Sequence, residues 1–103
     1  MKFMNFTPHD IVLNTGVVYE SVGSARCSAE FSEFNENGVA TVSYGKVNGL
    51  PEPVDGVVYI VSAMVLDALR GVRDDLVAPA TGHPDCVREN GKVVSVPGFV
   101  KNK

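Results

Sequence analysis

Four residue types in this chain have the chemistry for ligation, catalysis or ion recognition. His9, Cys27, His83 and Cys86 are ligand types for a transition metal. Within His83-Pro84-Asp85-Cys86 the outer pair has the spacing that lets one turn chelate an ion. A structural zinc site joins two such paired motifs, and here the second is missing, since His9 and Cys27 would have to converge through folding alone. A loop histidine and two small, packed thiols explain the same residues, so no metal and no cofactor is expected.

Ser62 follows Val57-Val58-Tyr59-Ile60-Val61 and precedes a helix-forming run, the position of a hydrolase nucleophile, and His9 is a conceivable base. Its neighbours Val61 and Ala63 are not the glycines of a nucleophile elbow, and a helix cap accounts for the serine without further assumption. The glycines Gly45, Gly49 and Gly56 form no phosphate loop. The chain is therefore read as a non-enzyme. What remains is arginine. Arg26, Arg70, Arg73 and Arg88 lie near turns or element ends, where a planar guanidinium can grip phosphate or carboxylate, and tyrosines such as Tyr59 can stack on a base. The candidate ligand contacts are Arg73, Arg88, Arg26, Tyr59 and His9. The competing reading pairs each arginine with a nearby carboxylate, as Arg73 with Asp74 or Asp75.

These groups must be held by short elements. Ile11-Val12-Leu13 and Val17-Val18-Tyr19 flank Asn14-Thr15-Gly16, the pattern of a hairpin. Residues 25–34 and 39–47 form a second antiparallel pair around Asn37-Gly38. Two closely spaced prolines make 48–56 a loop, and the apolar run 57–61 fits a strand buried on both faces. Ser62 caps a helix from Ala63 to Arg70, closed by Gly71. Asp67 and Arg70 are its polar residues, so nearly every side should be covered. Val57, Tyr59, Val61, Leu66 and Leu69 are the expected core. Leu76-Val77-Ala78 is a short strand ended by Pro79, and a last hairpin turns at Asn90-Gly91 before a fraying tail, Lys101-Asn102-Lys103. The expectation is α+β: a β-rich single domain over residues 1–103, with antiparallel hairpins forming a curved sheet and one short helix.

The totals agree with one small domain. Of 103 residues 45% are hydrophobic and 20% charged, enough for a core and too apolar for a disordered chain. Nine Lys and Arg against twelve Asp and Glu leave a net charge of −3, which argues against general nucleic-acid binding. No apolar run is long enough for a membrane span, and Met1-Lys2-Phe3-Met4-Asn5-Phe6 does not read as a signal peptide. The cytoplasm is the expected compartment, with Cys27 and Cys86 reduced.

Several segments together resemble a family of small uncharacterised phage and prophage proteins. They are Phe6-Thr7-Pro8-His9-Asp10-Ile11, Gly49-Leu50-Pro51-Glu52-Pro53, Tyr59-Ile60-Val61-Ser62, Arg73-Asp74-Asp75-Leu76-Val77-Ala78-Pro79 and Val87-Arg88-Glu89-Asn90-Gly91. The likeness departs at Ala80 to Cys86, where the family's turn is shorter. It implies a phage origin more than a mechanism, with the host cytoplasm as the compartment; a small phage accessory protein without catalytic motifs is expected to act by binding. The first reading is a protein-binding inhibitor of a host defence system, with a bacterial host protein as partner. The second is sequestration of a nucleotide signal by an oligomeric binder, and the third a virion or assembly role. A homo-oligomer stays open.

Overall fold

The computed structural model describes residues 1–102. Its strands are β1 (Lys2–Asn5), β2 (Ile11–Val12), β3 (Val18–Tyr19), β4 (Ala29–Phe31), β5 (Val42–Tyr44) and β6 (Val57–Ile60). After the helix α1 (Ala63–Ala68) come β7 (Leu76–Pro79), β8 (Val87–Glu89), β9 (Lys92–Ser95) and β10 (Phe99–Val100). Among the described residues no helix is long and apolar enough to cross a membrane.

The central sheet has the order β1-β6-β7-β10. β6 pairs in parallel with both β1 and β7, and β10 closes the far edge antiparallel to β7. The molecule is thus mostly β with one short helix, but the expected curved sheet of antiparallel hairpins is corrected. The sheet is mixed and not strongly curled, and the three hairpins β2–β3, β4–β5 and β8–β9 stand outside it as separate two-stranded units. The parallel pairing follows from the connection. β6 runs into α1 and the chain returns as β7, and such a crossover brings two strands side by side in the same direction.

Strand periodicity assigns the side chains to two cores, since neighbours along a strand point to opposite faces. Tyr59 and Val61 of the β6 run, Leu76 and Ala78 of β7 and Met4 of β1 meet Val65 and Leu66 of α1 on one face. Ile60, Val77 and Phe3 meet Ile11, Val96 and Phe99 on the other, under the β2–β3 and β8–β9 hairpins. The run 57–61 is accordingly covered on both sides, with Val57 and Leu69 half-buried at the margin. Cys27 packs against the first cluster and Cys86 against the second, so the sheet lies between these two free thiols.

Ser62 caps the helix as its sequence implies, its Oγ accepting from the Val65 amide at 3.3 Å. The helix buries one stripe rather than every side. Val65 and Leu66 face the core while Ala63, Met64 and Asp67 are exposed. Pro79 belongs to β7 instead of ending it. β6 pairing stops at Val77, and toward β10 the amide of Ala80, not of residue 79, donates to Gly98 at 3.0 Å. Pro79 and Phe99 therefore form a pair that needs no donor from proline. At the last hairpin Asn90 and Gly91 both take positive φ, 53° and 79°, as a type I′ turn requires. The tail does not fray through Asn102, whose Nδ2 donates to the Leu66 carbonyl at 2.8 Å. Lys103 lies outside the described residues.

Leu66→Ala should cost about 2–5 kcal/mol by urea denaturation, through lost burial and the void left behind. Met64→Ala on the exposed side should stay within about 0.5 kcal/mol. Similar losses at both positions would mean that the helix presents a different face to the sheet.

Candidate functional site

Three places in the fold gather groups able to bind. The first is built on Arg73. Its Nε and Nη2 donate to the two carboxylate oxygens of Asp75 at 2.9 and 2.7 Å, and its Nη1 to the Pro51 carbonyl at 3.0 Å. The guanidinium carbon also lies 5.7 Å from the centre of the Tyr59 ring. Tyr59 is 2% exposed and its hydroxyl donates to the Glu52 carbonyl at 3.1 Å. Arg73 and Tyr59 are brought together, then, as a clamp that ties the 51–53 loop to the base of the sheet. Hydrogen bonding from Arg73 holds the Asp75 carboxyl below its usual 3.8, outweighing the opposite effect of burial. The same hydrogen bonds raise Arg73 further.

The second place is a cleft of about 550 Å³ where β1, β6 and β7 end. Ile11, Val12, Ala63, Pro79 and Val96 give it an apolar lining, and Ser62, Thr81, His9, Asp10 and Lys92 add polar groups. Its wall at Thr7 to Asp10 is fixed by a buried amide that sequence reading overlooked. Asn5 is 1% exposed, and its Nδ2 donates to the His9 and Tyr19 carbonyls at 2.8 and 2.9 Å. Its Oδ1 accepts from the Thr7 amide at 2.9 Å and lies 2.6 Å from the Thr7 hydroxyl. Both amide protons and both acceptor positions are filled. The signal for this was the Asn-x-Thr spacing at a strand end, where a side chain folds back on the turn that follows.

His9 is thus on the cleft, on the same side as Ser62, but among the described residues no hydrogen bond joins them. Arg88 lies nearby, its Nη2 donating to the Thr81 carbonyl at 2.7 Å. Arg26 is elsewhere, on the surface beside β4, with its Nε 3.2 Å from the Ser24 hydroxyl. The five sequence candidates therefore divide into a clamp, a cleft rim and an isolated surface arginine. His83 and Cys86 diverge, one on the surface and the other against the core, and among the described residues no three metal-ligating side chains cluster.

The third place is the β4–β5 hairpin. Ala29 faces Tyr44 and Phe31 faces Val42, so these four share one side, with Glu30 and Ser43 on the other. Phe31 and Phe34 are 70% and 74% exposed, and Val39 and Val42 are exposed as well. Tyr44 anchors the ribbon to α1, its hydroxyl donating to Asp67 Oδ2 at 3.0 Å. That carboxylate raises the Tyr44 hydroxyl above its usual value. Comparison with family models, with curated proteins and with solved structures returns no match.

Asn5→Ala should lose about 2–4 kcal/mol in chemical denaturation, because it leaves the Thr7 amide without its acceptor and takes the Asn5 amide from the Tyr19 and His9 carbonyls, the latter keeping the Thr7 hydroxyl. Asn5→Asp should be no better, since it turns an oxygen toward the His9 and Tyr19 carbonyls. A neutral Asn5→Asp would contradict the assigned bonding.

The Arg73–Asp75 pair has its own signature. The folded pKa of Asp75 is depressed, so the pair's stabilisation is fully present above pH 3.8 and is lost as pH falls through the lower folded value. The stability advantage of the wild type over Asp75→Asn should stay level from about pH 7 to about pH 5 and shrink in stronger acid. An advantage that instead grew in acid would rule out the ion pair.

Proposed function

We propose that this chain is a small phage or prophage accessory protein that acts by binding, as an inhibitor of a bacterial host defence protein. The observation that carries the reading is the acidic, apolar β4–β5 hairpin. Residues 29–44 contain Glu30, Glu33 and Glu36 and no Lys or Arg. The chain has twelve acidic and nine basic residues, so this one ribbon holds the whole acidic excess. The same ribbon carries two exposed phenylalanines, Phe31 on the side opposite Glu30 and Phe34 beyond the strand, the kind of side chain that anchors interfaces.

A two-stranded ribbon with bare aromatics gains little stability by itself, whereas docking on a partner would bury them. Charge narrows the choice of partner. Two copies of the hairpin would set glutamates against glutamates, while a basic surface with apolar hollows complements both features. A host protein whose groove handles nucleic acid has such a surface. The phage resemblance of the other segments supports the same origin.

A phage-protection assay in a defended bacterial host tests this. Phe31→Ser with Phe34→Ser, and separately Glu30→Lys with Glu33→Lys, should abolish protection while leaving the melting temperature nearly unchanged. Loss of one aromatic anchor corresponds to about 2 kcal/mol, or roughly thirtyfold in affinity. His9→Ala and Arg88→Ala should retain protection. The reverse pattern would support nucleotide sequestration, and indifference to both sets would favour a virion or assembly role.

A further inference from the structure

The cleft at the carboxyl ends of β1, β6 and β7 is separate from the hairpin, none of whose residues lines it. Three parallel strands open onto it, and in open sheets with parallel strands ligands settle at such ends, where the chain leaves the ladder. Its volume of about 550 Å³ falls within the range of small-molecule sites.

The floor is apolar, and the polar groups are weighted toward donors. Ser62 Oγ accepts from Val65, which leaves its proton free, and among the described residues the Thr81 hydroxyl and the Lys92 ammonium make no hydrogen bond. Lys92 forms no ion pair among the described residues. Asp10 is the acidic member, and its Oδ1 already accepts from the Ser21 amide at 2.9 Å. A ligand that complements this set has an apolar body and an acceptor-rich, negatively charged end. We propose that the cleft binds a small organic anion of that kind, its head held by Lys92 and Thr81 and its body on Ile11, Ala63 and Pro79.

The wall at His9 is locked by Asn5, so the cleft exists before the ligand arrives and little ordering is required on binding. This inference does not rest on the inhibitor reading, since the two involve different residues.

The probe is anilinonaphthalene sulfonate, titrated into the full chain with amide chemical shifts recorded, alongside its uncharged analogue phenylnaphthylamine. Shifts for both should concentrate at Ser62, Thr81 and Lys92 to Val96. Lys92→Glu should weaken the sulfonate about tenfold, by removing an attraction and adding a repulsion, and change the neutral dye less than about twofold. Ala63→Phe should block both dyes from one wall, and Thr81→Trp from the other should one of these variants fold poorly. Shifts centred on residues 29–44, equal responses of the two dyes to Lys92→Glu, or no saturable binding of either dye would overturn the proposal.

Discussion

The fold depends on the side chain of Asn5. A primary amide buried at 1% exposure is costly unless each of its hydrogen-bonding positions is used, and here a strand end, a turn and the β2–β3 hairpin are arranged so that they are. Its orientation has no alternative, because the Thr7 amide must meet an oxygen and the two carbonyls must meet a nitrogen. β1, the turn through His9 and the β3 carbonyl at Tyr19 are thereby held in one geometry. Apolar packing alone would let these short segments slide, since strands of two to four residues have few side chains to set a register.

A second constraint, at the other end of the sheet, has a similar character. Arg73 connects Asp75, the Pro51 carbonyl and the Tyr59 ring, so a loop with two prolines is tied down by a single guanidinium. Between the asparagine and the arginine lie the two apolar layers. The binding features are outside this frame: a cleft where the strands end, and a hairpin leaning on α1 through Tyr44. A rigid centre thus holds its exposed attachments in place, as scaffolds hold the segments that carry functional groups.

Local signals in the sequence were good guides to local structure. Asn90-Gly91, Thr15-Gly16 and Asn37-Gly38 marked turns, and Ser62 marked a helix start, because each depends on backbone preferences of adjacent residues. The apolar run at 57–61 showed its two-sided burial by having no polar alternation. Pairing between distant segments was not legible. Lys2-Phe3-Met4-Asn5 is too short for its period to stand out, and nothing in it says that its partner lies more than fifty residues away. The site suffered from the same limit. Arg73 and Tyr59 have the right chemistry for a nucleotide, yet the competing pairing of Arg73 with Asp75, two residues on, is the one that forms; what could not be read was the Pro51 carbonyl, which comes from a distant loop. Asn5 went unnoticed because a polar residue in an apolar stretch reads as an interruption, whereas here it is the joint.

The order of strands in the sheet has a bearing on synthesis. Its edges are residues 2–5 and 99–100, and its centre is residues 57–60 and 76–79. As the chain leaves the ribosome, β1 precedes β6 by more than fifty residues, and until β6 follows it can meet only the β3 segment, through Tyr19 and Ser21. The far edge is added only when β10 appears. No early portion can assemble the sheet by itself, and closure waits for loops of large sequence separation, which slows folding. Before β6 emerges, a nascent β1 lacks its sheet partner, and Met4, which packs with the residues of β6, β7 and α1, stays open to water. That interval is when a chaperone has access to the strand, and it ends when residues 57–60 arrive.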